Sequence, residues 1–308
     1  MIGFGIAAIL SGLGKRNKFM SIIKSLHKEG KLQLSKDFMT DIVYEGITGS
    51  VAYAANNDMS DLDVYGICML PLDMAFPHRI GHIKGFGPAP EYFETMNQHH
   101  IKRDDSEYDV TIISIVKFFS LAAENNPNIL DVLFLPERCV ISQTEVGRHM
   151  RTNRHQFLHK GSMHKFLGYA HSQLKKIETK EPNGKRKELV EKYSYDVKFA
   201  SHVVRLALEC EDVLTNYDLD LQKNGDIIKS VKNGMYTLDE LKEWFKQKEL
   251  LLQKLYMESK VPHSPDWVYL RTLLIQCFEI RYGNINEVNR EVLAYRERLE
   301  QIKKLTEM

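Results

Sequence analysis

The hydrophobic pattern changes period at about residue 145, and this limits the architecture more than any other feature of the chain. Before that point, DIVYEGITGS (Asp41 to Ser50) reads as a strand running into a glycine turn, and LDVYGICMLP (Leu62 to Pro71) as a second strand ended by proline. Leu72 to Ser106 is rich in Gly, Pro and His with weak periodicity, which predicts irregular excursions and one strand around Glu91 to Thr95. From Tyr108 to Asn126 an alternating strand pattern passes into helical spacing, with Ile115, Phe118, Phe119 and Ala122 on one face. Asn126 to Pro136 follows as a short element closed by proline. Beyond residue 145 only helical patterns remain, separated by PNGK (Pro182 to Lys185), two KNG breaks and VPHSP (Val261 to Pro265). Thr237 with Glu240 forms a capping box that should start a helix carrying Leu238, Leu241, Trp244 and Phe245. The expectation is an α+β fold, with a small mixed-sheet domain over 1–145, an all-helical domain over 146–308, and a ligand cleft between them.

At 308 residues, with 43% hydrophobic and 27% charged content, the chain can bury a core large enough for one big domain or two ordinary ones. Cys68, Cys139, Cys210 and Cys277 are widely separated and form no CxxC pair, which argues against a zinc site or a disulfide framework and fits a reducing, cytoplasmic setting. The apolar run from Gly3 to Gly14 has no basic stretch before it and is too short to span a bilayer, so it reads as a packed or loosely ordered tail, with no membrane partner. A net charge of +1 gives no general attraction to nucleic acid, yet Arg151 to Arg205 holds 13 Lys or Arg against 5 Asp or Glu. That excess suggests a phosphate-binding surface; the plainer alternative is a solvated helix face.

Chemistry concentrates in GSVAYAANNDMSDLDVYG, Gly49 to Gly66. Gly49 lets the backbone approach a ligand, and Ser50 with its neighbouring amides can hold a phosphate at the start of a helix. Asp61 and Asp63 sit two apart on a predicted strand, which sends both carboxylates to one face. Paired carboxylates beside a phosphate turn suit magnesium, which takes oxygen ligands from a few carboxylates and from substrate phosphates. Two such ions about 3.5 to 4 Å apart can stabilise both the attacking and the leaving oxygen of an in-line displacement. A third carboxylate is then expected: Asp109 begins a strand at a suitable place, and Glu107 could share its face.

A GS turn, a helix and SDxD followed by a hydrophobic residue and glycine resemble the nucleotidyltransferase fold of the DNA polymerase beta superfamily. YDVTIISIVKFFSLAAENNPNILDVLF, FLHKGSMHKFLGYAHSQLKK, YDVKFASHVVRLALECEDVL and IIKSVKNGMYT extend the similarity to the RNA-repair-associated branch of predicted nucleotidyltransferases, over roughly residues 41 to 285. The resemblance implies an enzyme that moves a nucleoside monophosphate from a nucleoside triphosphate such as ATP to an acceptor hydroxyl, with two magnesium or manganese ions. It makes Gly49 and Ser50 the phosphate turn, Asp61 and Asp63 the metal pair, and Asp109 the third carboxylate. RNA is the favoured acceptor; nucleotidylation of a protein or small molecule, or a catalytically silent nucleotide-binding, antitoxin-like module, are the alternatives. Repelling carboxylates held together disfavour the silent module.

Lys160, Lys165, Lys198, His202 and Arg205 fall inside the matching segments, and the last three recur at i, i+4 and i+7 on one helix face. Such a row would clamp a triphosphate by charge-assisted hydrogen bonds; a basic solvated stripe is the plain alternative. Tyr169 offers a ring for a base, although a tyrosine there is more often core. SGLGKR (Ser11 to Arg16) lacks the first glycine and the hydroxyl residue of a P-loop. Adjacent His99 and His100 cannot both reach one metal from a regular strand and read as loop residues.

Overall fold

The computed structural model describes residues 21–55, 62–83, 85–87 and 91–285, with the side chain of residue 185 excepted. Asp61 and the apolar run from Gly3 to Gly14, both singled out in the sequence, lie outside the described residues. The fold is α+β. Strands β1 (Ile42–Ile47), β2 (Leu62–Cys68), β3 (Thr95–Arg103), β4 (Ser106–Ser114) and β5 (Val140–Gln143) form a mixed sheet in the order β3-β4-β2-β1-β5. The β2 and β4 strands run parallel at its centre, and the other neighbours are antiparallel. Central position explains the apolar content of β1, which is buried on every residue.

The strand expected around Glu91 to Thr95 begins instead at Thr95 and runs to Arg103. Its sequence, TMNQHHIKR, buries only Ile101, because an edge strand with both faces largely wet carries no alternating apolar signal.

Helix α1 (Ile22–Lys28) packs on β2, and α2 (Gly49–Ala52) is a single turn after β1. Then α3 (Ile115–Ala123) and α4 (Pro127–Leu133) follow β4, and α5 (Glu145–Thr152) follows β5. The helical half contains α6 (Ser162–Thr179), α7 (Lys185–Tyr193), α8 (Val197–Asn216), α9 (Gly225–Lys232), α10 (Leu238–Glu258) and α11 (Trp267–Tyr282). The Thr237 capping box starts α10 as the sequence predicts. All three longest helices meet, with α8 in the middle packed on α6 and α10, and 14 of its 20 residues are buried, so it can display side chains only along a narrow stripe.

One apolar core runs from Ile23 through the sheet to Phe278 and so joins sheet and helices; a smaller cluster fills the space between α8, α9 and α10. The halves also meet where α9 approaches the chain leaving α2. A Cβ on Gly225, the first residue of α9, would lie 2.7 Å from the Tyr53 carbonyl oxygen, so only glycine permits that approach. The four cysteines are free and buried. Among the described residues no helix is long and apolar enough to cross a membrane.

Candidate active site

A cavity of about 840 Å³ opens where the sheet meets α7, α8 and α9, within the size range of small-molecule sites. Its sheet side is set by strand register. In the parallel β2/β4 pair Asp63 lies opposite Asp109, so their side chains leave on the same face of neighbouring strands, and both line the cavity. Gly49 and Ser50 reach the same space from the turn after β1. At φ 67° Gly49 has left-handed backbone, and a Cβ there would collide with Asp63 Oδ2. The Thr48 amide donates to the Asp63 carbonyl at 2.8 Å, which holds the turn over the strand that carries the carboxylate.

Asp109 is held from the other side. The β3/β4 register slips between Gln98 and Ile101, and His100 adopts φ 58° in that bulge. The slip turns the His100 amide onto Asp109 Oδ1 at 2.9 Å and brings His99 Nδ1 to 3.2 Å from Oδ2. Partial burial pushes the Asp109 pKa up, but the His100 amide and the His99 hydrogen bond and charge outweigh it, and the net shift is downward. The carboxylate therefore stays ionised. Glu107 lines the same end of the cavity and is bonded to His100 Nδ1. His99 and His100, expected in a loop, thus belong to a strand and secure the carboxylate end. An isolated HH pair offers no sequence signal for a bulge.

Two carboxylates, with Asp109 held ionised and a glycine turn drawn tight against Asp63, suit a hard divalent cation. Among the described residues no three His, Cys, Asp or Glu side chains surround one point as a complete ligand set; Asp61 is outside those residues.

The helical side is basic. Lys198, His202 and Arg205 from α8, Lys232 from α9 and Arg186 from α7 all line the cavity. Burial first, and then the charges of Arg205, Lys198, Lys232 and Arg186, push the His202 pKa down to about 3, so the imidazole is neutral. Burial, followed by the charges of Lys198 and Arg205, also lowers the pKa of Lys232, whose ammonium donates to the Ala55 carbonyl at 3.0 Å.

Arg205 differs from its neighbours. It is 5% exposed, and its Nη1 donates to Asp131 at 2.5 Å, to the Tyr53 hydroxyl at 2.5 Å and to Glu209 at 3.3 Å. Its guanidinium also lies 4.6 Å from the Tyr53 ring centroid. Burial works against the charge, but Glu209, Tyr53 and Asp131 outweigh it and hold Arg205 protonated. This departs from the expectation that Arg205 would clamp a phosphate: the guanidinium joins α8 to α4 through Asp131 and to the Gly49–Ser50 turn through Tyr53, the residue after α2.

Lys160 and Lys165 also depart from expectation, since neither lines the cavity. The start of α6 faces away from it, leaving the Lys160 ammonium 5.5 Å from the Tyr256 ring centroid and Lys165 paired with Glu124 at 3.0 Å. Tyr169 accepts a hydrogen bond from Asn126 at 2.9 Å and packs against the core. Sequence reasoning passed over Arg186 and Lys232, which come from separate helices and share no spacing with Lys198.

A family model described as the RNA repair pathway DNA polymerase beta family matches residues 23–275. No curated protein matches the chain.

Proposed function

Because the chain belongs to the RNA repair pathway DNA polymerase beta family, we propose that it transfers a nucleoside monophosphate from a nucleoside triphosphate to a hydroxyl of an RNA acceptor. The observation that carries this reading is one cavity with Asp63 and Asp109 fixed by register on its sheet side and a basic helical side formed by Lys198, Lys232 and Arg186. A triphosphate carries about four negative charges and needs cations on more than one side.

Asp63 and Asp109, with Asp61 on the strength of its sequence position, would hold two magnesium or manganese ions, which neutralise phosphate charge and make the acceptor hydroxyl easier to deprotonate. Lys198 and Lys232 bind the phosphate oxygens by charge-assisted hydrogen bonds. Ser50 donates its hydroxyl to the same group, and neutral His202 contributes a ring N–H without adding charge. Arg205 acts indirectly, by keeping Tyr53 and so the Gly49–Ser50 turn in place.

In the transfer, the acceptor oxygen forms a bond to the α-phosphorus as the bond from that phosphorus to the bridging oxygen breaks. Pyrophosphate leaves with the electron pair, and the hydroxyl proton departs toward the ionised Asp109. The test is incubation with each labelled nucleoside triphosphate, magnesium, and a mixture of RNA, DNA and protein. Label should enter RNA and should vanish with Asp63→Asn. Label in the protein pool would replace RNA with a protein acceptor, and no label in any pool would overturn the transferase reading.

A further inference from the structure

Beside the cavity, three cations gather over one aromatic ring. Phe199, in the first turn of α8, is buried; the Arg186 guanidinium lies 4.0 Å from its centroid, the Lys180 ammonium 5.7 Å and the Lys176 ammonium 5.9 Å. Lys176 is in the last turn of α6, Lys180 caps its C-terminus, and Arg186 is in the first turn of α7. A cation over an aromatic face gains only about 0.5–1 kcal/mol at exposed sites. All three charges lie within 5.9 Å of one centroid, so salt, with a Debye length of about 8 Å at physiological ionic strength, screens their repulsion only in part.

Local acids compensate it only at Arg186. Asp196 pairs with Arg186 at 2.8 Å while also capping α8, and Glu178 is held by Lys242 at 2.7 Å. Among the described residues no carboxylate forms an ion pair with Lys176, Lys180 or Lys198. Positive charge therefore continues from Lys232 and Lys198 inside the cavity, through Arg186 at its wall, to Lys180 and Lys176, which do not line it. A mononucleotide carries its phosphates within the cavity and leaves these outer charges unmet. A polymer with its end in the cavity meets them.

We infer that Lys176 and Lys180, continuing from Arg186, bind the phosphodiester backbone of a single-stranded acceptor whose terminal nucleotide lies in the cavity. This rests on the RNA-acceptor reading above and adds the path of the strand. Phe199 is buried beneath the three cations, so it is no platform for base stacking; the contacts go to phosphates and carry little sequence preference.

Fluorescence anisotropy with a labelled single-stranded RNA oligonucleotide, measured across a series of salt concentrations, tests the path. The double variant Lys176→Gln with Lys180→Gln should raise the RNA Kd roughly tenfold at physiological salt and should flatten the salt slope by about 1.4, since each phosphate contact on a single strand contributes about 0.7. Lys176→Arg with Lys180→Arg keeps both charges and should retain affinity and slope, which separates loss of charge from loss of fold. A DNA strand of the same sequence should lose affinity in parallel, as expected for contacts to phosphate.

Calorimetry with a nonhydrolysable triphosphate should give the same Kd for wild type and the Gln double variant. An unchanged RNA Kd and slope in the Gln variant would overturn the path, as would failure of the wild type to bind RNA, or a loss of triphosphate affinity as large as the loss for RNA. Normal RNA binding with no label transferred would instead count against the transferase reading and leave the path standing.

Discussion

The two sides of the cavity are built in different ways. On the sheet side, one parallel register places Asp63 opposite Asp109, and a positive-φ glycine closes over the first while a bulge amide fixes the second. On the helical side, Lys198, Lys232 and Arg186 arrive from three helices, and no backbone hydrogen-bond ladder relates one to another. The acidic side thus inherits its geometry from the backbone, whereas the basic side depends on tertiary packing, with Arg205 tying α8 to Tyr53 and Asp131. A change on the sheet side should therefore act on chemistry with the fold intact. On the helical side, effects should divide between stability and ligand affinity according to whether the residue is a tie or a free cation.

The largest expected effect tests the tie. Arg205→Ala removes the cation from a buried cluster and leaves Asp131 and Glu209 without it, a change that costs about 3 to 5 kcal/mol when one partner of a buried pair is removed. Denaturant unfolding should show the loss without ligand present. Arg205→Lys should recover only part of it, because an ammonium cannot both lie flat on the Tyr53 ring and serve Asp131, Tyr53 and Glu209. Wild-type stability in Arg205→Ala, together with weakened triphosphate binding, would return this residue to the set of free phosphate ligands.

Next in size is the sheet side. Asp63→Asn preserves shape against Gly49 but removes a charge, and should lower kcat by about a hundredfold to a thousandfold, as when one preorganised electrostatic contact is lost. Asp109→Asn should behave similarly. Asp63→Asn should leave the unfolding midpoint unchanged, whereas Asp109→Asn should lower it slightly, because the downward shift of the Asp109 pKa comes from bonds of the ionised carboxylate to the His100 amide and to His99 that the amide cannot fully replace. A near-normal kcat in either variant would remove that carboxylate from the chemistry.

The same contrast governs what the sequence disclosed. A GS turn followed by strand alternation at Asp63 and a strand pattern through Asp109 is a local signal, although the strand begins at Ser106 and not at Asp109, and parallel pairing then determines where the carboxylates meet. The i, i+4, i+7 spacing of Lys198, His202 and Arg205 was equally visible, yet it could not separate Arg205 from the other two. That depends on Asp131 and Tyr53, distant in sequence, coming within reach of the guanidinium. Lys232 and Arg186 left no trace for a related reason, since the docking that brings α9 near Lys198 depends on the close approach of Gly225 to Tyr53. The polar β3 strand lies beyond the position that the sequence pattern predicts, because an edge strand needs no apolar alternation.

Free cations should show the opposite behaviour to the tie. Lys198→Ala should raise the Kd of a nonhydrolysable triphosphate roughly tenfold, about 1.4 kcal/mol, with stability unchanged because Lys198 is exposed. Lys232→Ala should weaken binding to a similar degree and should also lose the hydrogen bond to Ala55, worth about 0.5 to 1.5 kcal/mol of stability. Calorimetric titration and denaturant unfolding of the two variants separate these contributions. Unchanged triphosphate affinity in both would assign the basic side to some other anion.

The smallest effect concerns His202, which faces Arg205, Lys198, Lys232 and Arg186 and is held neutral by burial and by those four charges, with its pKa pushed down to about 3. An unfolded chain protonates the same imidazole near pH 6.5. Between about pH 6.5 and about pH 3 the unfolded state therefore binds more protons than the folded state, and this residue makes stability fall as the pH drops through that window. Above pH 6.5 it contributes no slope. One proton sets a ceiling of about 1.4 kcal/mol per pH unit, and the partial exposure of the residue brings the observed slope below that value. His202→Gln keeps a hydrogen-bonding side chain but cannot titrate, so its unfolding free energy should decline less steeply with acid than that of wild type, while the two curves run parallel above pH 7. Adding a nonhydrolysable triphosphate should narrow the difference, because the bound anion offsets the surrounding positive charge and lets the folded state accept the proton more readily. Parallel curves throughout the acid range would mean that the ring takes up its proton in the folded protein at the same pH as in the unfolded chain, and that burial and the four cations do not hold it neutral.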